Sequence, residues 1–290
     1  MEKWNTPKKP RIGIYTMGLK AYWNQFPGLR ERLLHYGQFI AEKIAEMDAE
    51  VFFYGLADCE EAGESCGEFF NAKNVDLIFA HAGTYVNSSS VLPIHQICKA
   101  PVIILNLQPT ARIAYDRTPT GEWLAHCGAC PVPELSNAFH RSGISCRIIN
   151  GLLGLDHTPD ISLTDENTAA RPEAVRAWKE ISEWVKAASV KRELSGCRFG
   201  FLGNTYNGML DMYSDFTMVQ AQTGAHIEIL EMCDLDRMLR QVTEDEVEKK
   251  KAENFFSIIV MIRPPIRWRR GRQRNSWTGP QGWRPPRNGW

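Results

Sequence analysis

PRIGIYTMGLKAYWNQFPGLRERLLHYGQFIAEKIAEMDAEVFFYG, residues 10–55, places two short apolar runs on either side of a long helical pattern. The runs are Arg11–Thr16 (RIGIYT) and Glu50–Tyr54 (EVFFY), rich in the β-branched and aromatic residues that suit a pleated, half-buried surface. Between them, Pro27–Met47 carries Leu29, Leu33, Leu34, Phe39, Ile40 and Ile44 as a helical stripe, with Pro27 as an N-terminal start signal. A strand, a helix and a strand in that order make the unit from which parallel sheets are built.

The same alternation continues. Val75–Ala80 (VDLIFA), Val102–Leu107 (VIILNL) and Cys146–Ile149 read as further strands, and Ala57–Lys73, Ser88–Lys99 and Pro133–Arg141 as further helices. Runs this continuously apolar suit parallel strands covered on both faces. The reading is therefore an α/β protein with a doubly wound parallel sheet, Rossmann- or flavodoxin-like, over residues 1–194. Gly151–Arg171 is a polar loop, and Pro172 opens a helix to about Leu194. A fresh start follows, with Cys197–Leu202 and His226–Leu230 as strands and helices near Thr217–Thr223, Asp234–Val242 and Glu244–Phe256. Phe256–Ile262 reads as a third strand. Residues 195–262 would then be an incomplete second α/β domain.

The remaining residues, 263–290, hold eight Arg, five Pro, four Trp and four Gly, with no Lys and no acid. The formal net charge of zero splits into −8 for residues 1–262 (26 Lys and Arg against 34 Asp and Glu) and +8 for this tail. The tail reads as a disordered or frameshift-derived end, and the chain as truncated. Arg interleaved with Trp would suit phosphate contacts and base stacking, but no repeated motif accompanies it. No apolar run approaches about 18 residues, so neither a membrane span nor secretion is expected. The eight scattered Cys fit reduced thiols in a cytoplasmic protein better than a disulfide framework.

In open α/β sheets, ligands bind beyond the carboxyl ends of the strands. The loops placed there are Met17–Phe26, His81–Ser90, Gln108–Arg117 and Gly203–Asp215. Their Tyr, Trp, Asn, Gln and Thr can hydrogen-bond hydroxyls and stack on a sugar face. Cys127-Gly-Ala-Cys130 invites a zinc or redox reading, but no second paired motif supplies a four-ligand zinc site. Nor does the pair follow the first strand, as a thioredoxin-like site requires. His81 and His95 sit in apolar segments and read as core histidines. No glycine-rich phosphate fingerprint is present.

The chain resembles the L-arabinose/L-fucose isomerase family, closest to its arabinose isomerase-like branch, from about Arg11 to Lys251. The carriers are the first-strand loop with Tyr22, VDLIFAHAGTY (75–85), PVIILNLQP (101–109), Ala125-His126-Cys127-Gly128 and SGCRFGFLGN (195–204). The resemblance implies an aldose–ketose isomerase of the cytoplasm, acting on a pentose or deoxyhexose with manganese or another divalent metal and working as a homo-oligomer. It places substrate contacts at Tyr22, Gln108, His126, Asn204, Tyr206 and Met209, with no catalytic or metal-binding residue in this chain. The family's metal-binding Glu and His residues lie in later segments, so the chain alone is expected to bind no metal and to lack activity. A non-catalytic sugar-binding or regulatory module, and nucleic-acid binding through the tail, stand as alternatives, the latter less favoured.

Overall fold

The computed structural model describes residues 8–202, 208, 209, 212 and 214–261, with side chains of the last helix as far as Ala252. The Arg- and Trp-rich tail, Asn204 and Tyr206 lie outside the described residues. The chain divides into two compact units, residues 1–229 and 230–290.

Five parallel strands form the main sheet: β1 (Arg11–Met17), β2 (Glu50–Ala57), β3 (Leu77–His81), β4 (Val102–Gln108) and β5 (Cys146–Leu152), in the order β2-β1-β3-β4-β5. Helices α1 (Leu29–Ala45), α2 (Glu60–Ala72), α3 (Ser88–Ile97), α4 (Thr120–Leu124), α5 (Pro131–Arg141) and α6 (Pro172–Ser195) fill the connections. This is the doubly wound α/β fold, with the strand order of the flavodoxin-like kind.

Strand periodicity explains why both faces are covered. Successive side chains point to opposite faces, so Leu77 and Phe79 of β3 join one core while Ile78 and Ala80 join the other. On β1, Ile12 and Ile14 enter the first core and Tyr15 and Met17 the second; on β4, Ile103 and Leu105 oppose Val102 and Ile104. Leu33, Ile40 and Ile44 of α1 and Trp178, Ile181 and Val185 of α6 complete the first core. Phe70 of α2, Val91 and Ile94 of α3, and Leu135 and Phe139 of α5 complete the second. Each fully buried side chain of this size contributes roughly 1.5–3 kcal/mol.

The sequence reading stops β2 at Tyr54, but the strand runs on to Ala57. Gly55 is not its end: Ile14 pairs with Phe53 and Tyr15 with Gly55, so Tyr54 is extra and Gly55 takes a positive φ of 105° in the resulting bulge. Beyond α6, β6 (Arg198–Leu202) and β7 (His226–Leu230) make a separate two-stranded sheet, with α7 (Phe216–Thr223) between them in sequence.

In the second unit, α8 spans Met232–Leu239 and α9 Glu244–Met261. The expected third strand at Phe256–Ile262 is therefore corrected: α9 occupies Phe256–Met261, and Ile262 lies outside the described residues. Thr243 and Glu246 form a capping box, the Glu246 amide donating to Thr243 Oγ1 and the Thr243 amide to Glu246 Oε2. No Gly or Pro follows before Pro264, and the run of strong helix formers behind the cap outweighs the β-branched end. Among the described residues, no helix is long and apolar enough to cross a membrane.

His81 and His95 are core histidines. His81 Nδ1 lies 3.2 Å from Thr16 Oγ1, and His95 Nε2 3.1 Å from Tyr15 Oη. Burial pushes both rings down to about 3, with nearby Lys99 adding to the effect on His95. An unfolded histidine titrates near 6.5, at about neutral-to-acid pH. The unfolded chain therefore binds more protons below that value, and stability present above it is lost as pH falls from about 6.5 towards about 3. Urea unfolding should show a flat stability above pH 7 and a decline through pH 6 and 5. His95→Gln, which keeps a hydrogen bond for Tyr15, should make that decline shallower. An identical decline in variant and wild type would show that His95 does not carry it.

Candidate functional site

Where chain order reverses in such a sheet, here between β1 and β3, the loops leaving the carboxyl ends diverge and open a crevice. The Lys20–Tyr22 3-10 turn follows β1, Ala82–Asn87 follows β3, and Pro109–Pro119 follows β4 before α4. A further 3-10 turn, Cys127–Ala129, links α4 to α5 and is pressed against this edge. A Cβ at Gly128 would run into the Ala82 carbonyl oxygen and lie 3.5 Å from Gln108 Nε2. Only glycine lets the turn seat between β3 and β4.

Three of the residues picked out from sequence gather around that turn. His126 immediately precedes it, and Gln108 touches it. Tyr22 stands beside it, half-buried and edge-on to Phe26 at 5.9 Å between ring centres. Burial raises the Tyr22 phenol above its usual value, and the sulfurs of Cys127 and Cys130 raise it further. Met209 is about half exposed, and no contact joins it to the other three among the described residues. Asn204 and Tyr206 fall outside the described residues.

The amides at this edge are ordered by the sheet. Asn106 and Asn150 face each other across β4 and β5, and Asn106 Nδ2 donates to Asn150 Oδ1 at 2.7 Å. Gln108 Nε2 in turn donates to Asn106 Oδ1 at 2.9 Å. One Nε2 hydrogen is thereby engaged, and Gln108 keeps its second N–H and its carbonyl oxygen as donor and acceptor.

His126 is only 9% exposed. Its Nδ1 lies 3.0 Å from the Glu122 carbonyl oxygen. A carbonyl only accepts, so Nδ1 carries the proton and Nε2 is a bare acceptor. Nε2 is buried with no hydrogen-bond partner among the described residues. Burial holds the ring's pKa below its usual value; the bond to Glu122 opposes this and the Arg32 charge reinforces it. The hydroxyls of Thr84 and Thr110, 0% and 4% exposed, are likewise without partners among the described residues. They stand in the loops after β3 and β4.

Residues outside the sequence-derived set hold this arrangement. Arg32 of α1 pairs with the Glu122 carboxylate of α4, fixing the turn that supplies the carbonyl for His126. Glu134 of α5 accepts the Ser88 amide at 2.9 Å and the Tyr85 hydroxyl at 3.1 Å, capping α3 from outside and tying down the loop after β3. These bonds, the Ser88 amide first, keep the Glu134 carboxyl below its usual range. The only local signal for any of this is the four-residue spacing of Glu122 and His126; the partners of Arg32 and Glu134 are distant in sequence.

No family model matches the chain, and no curated protein matches it. Among solved structures, a "putative acylhydrolase" from Bacteroides fragilis aligns at 10% identity over 66% of this chain and 94% of its own, with a TM-score of 0.32. A second structure aligns at 8% identity over 62% and 98%, with a TM-score of 0.33. Likenesses this weak carry no argument, and hydrolysis is not assigned from them.

The isomerase assignment is corrected here. No family model and no curated protein of the expected isomerase family matches the chain. The physical reason lies in the segments that carried the resemblance. VDLIFAHAGTY and PVIILNLQP contain β3 and β4, whose residues are fixed by burial on two faces. Any doubly wound sheet demands such runs, so they report the fold and not the chemistry. The two alternatives, a sugar-binding module and a nucleic-acid-binding tail, gain no support either. Manganese rested on that family alone. Among the described residues, no group of three or more His, Cys, Asp or Glu is placed to hold a metal ion.

Gly128→Ala should cost roughly 1–3 kcal/mol, since the new methyl must displace the turn from the Ala82 carbonyl. Chemical denaturation measures this. A change below about 0.5 kcal/mol, the size of an ordinary surface substitution, would mean the turn is not wedged as described.

Proposed function

We propose that the protein binds a small, uncharged molecule bearing hydroxyl or amide donors at the carboxyl edge of the main sheet. One observation carries this: the buried, unpartnered Nε2 of His126, held in its acceptor form by the Glu122 carbonyl. A buried polar atom without a partner costs about 1–3 kcal/mol, a cost that a ligand donor would remove. The Gln108 carbonyl oxygen adds a second acceptor, and Thr84 and Thr110 add hydroxyls that can give or take a hydrogen bond. Tyr22 supplies a half-buried ring at the rim.

His126→Phe separates binding from folding. The substitution keeps a ring of similar size, and the Glu122 carbonyl retains the Ala125 amide at 3.2 Å. Its effect on unfolding free energy should stay within about 1 kcal/mol. Neutral carboxamides and ureas, screened by thermal shift, should include members that raise the wild-type melting temperature. At a hundredfold excess over Kd, binding stabilises by about 2.7 kcal/mol. The same compounds should leave His126→Phe unmoved. Equal shifts in both proteins, or no shift in the wild type, would overturn the reading.

A further inference from the structure

We propose that Cys127 and Cys130 form a reversible disulfide, with a low-molecular-weight disulfide as the oxidant. The argument begins in the turn. Cys127–Ala129 is 3-10 helix, closed by the Cys130 amide donating to the Cys127 carbonyl at 3.2 Å. Side chains three residues apart eclipse in that conformation. The two thiols are therefore stacked, and their sulfurs lie 2.7 Å apart. Both are free thiols, a short movement from the roughly 2.05 Å of a sulfur–sulfur bond.

The surroundings give the two sulfurs different roles. Cys130 is exposed, whereas Cys127 is buried. Cys130 also occupies the N-cap of α5, where it stands at the surface. It is the thiol that an incoming disulfide reaches. Burial first, and then the neighbouring Cys130, push the Cys127 thiol up to about 12. Cys127 is thus held as a thiol in the reduced pair.

The exchange balances in two steps. The Cys130 sulfur attacks one sulfur of the small disulfide, whose S–S bond breaks, and the leaving thiolate takes the Cys130 proton. The Cys127 sulfur then attacks Cys130 in the mixed disulfide, and the second small thiol leaves with the Cys127 proton. Two protein thiols are oxidised, and one small disulfide is reduced to two thiols. The pair adjoins His126, so its redox state bears on the proposed ligand site. The disulfide chemistry does not depend on that site, and the two readings fail separately.

The test is to incubate the full chain with oxidised glutathione, alkylate the remaining free thiols, and digest with trypsin. Both cysteines fall in the peptide Thr118–Arg141. In the oxidised wild type this peptide should emerge without alkyl groups and two hydrogens lighter, and after reduction it should carry two alkyl groups. Cys127→Ser should stop at the mixed disulfide of Cys130 with glutathione. Cys130→Ser should leave Cys127 as an alkylatable thiol. A wild-type peptide that stays doubly alkylated after oxidation, or that retains glutathione on Cys130, would overturn the proposal. Both variants should keep the wild-type circular dichroism, which excludes unfolding as the reason for their reactivity.

Discussion

No residue of β3 reaches solvent. The strand pairs with β1 on one side and β4 on the other, so its backbone groups are bonded and its side chains must be covered from above and below. That double coverage governs the rest of the architecture. α1 and α6 serve one core and α2, α3 and α5 the other. The chain must cross from one face to the other after β2, and the order β2-β1-β3 follows from that crossing. In such sheets the carboxyl ends of the strands flanking the reversal, here β1 and β3, are where ligands bind. The fold sets the position of the site before any polar residue is chosen.

Three buried histidines show how the chemistry of that position is set. His81, His95 and His126 are all deprived of solvent and all kept neutral by burial. His81 and His95 share hydrogen bonds with Thr16 and Tyr15, and each bond ties elements within the sheet and its covering helices. At His126 the engaged nitrogen faces a carbonyl of its own segment, and the other faces no partner among the described residues. Residue type and burial are the same in all three. His95 Nδ1 is likewise buried without a partner among the described residues, so His126 is set apart by its place beside the turn at the carboxyl edge and not by an open nitrogen alone.

This difference also marks how far the sequence could be read. The five strands were legible because double burial forces continuous apolar runs, and such runs survive as a pattern without any knowledge of neighbours. Strand and helix ends were less so: the bulge at Gly55 depends on pairing with β1, and α9 depends on a cap that outweighs the β-branched residues near its end. Of the site, Tyr22 and Gln108 were legible as polar residues in carboxyl-end loops, whereas His126 was named only through the family resemblance. The contributions of Arg32, Glu134 and Thr84 were not, because each arises from contact or its absence between segments far apart in the chain. The isomerase reading failed for the converse reason, since it drew on segments whose composition the fold already explains.

Charge decides what kind of ligand the edge favours. Arg32 is paired with Glu122, and Glu134 is saturated by the Ser88 amide and the Tyr85 hydroxyl. A ligand ion entering here would lose its hydration while these charges stay committed to each other, and breaking a partly buried pair to receive it adds a further penalty. A neutral donor meets no such cost. It gains hydrogen bonds at His126 Nε2 and the Gln108 carbonyl, and it displaces nothing that holds the turn in place. At the proposed site, the same pairing that orients His126 would thereby select against a charged ligand.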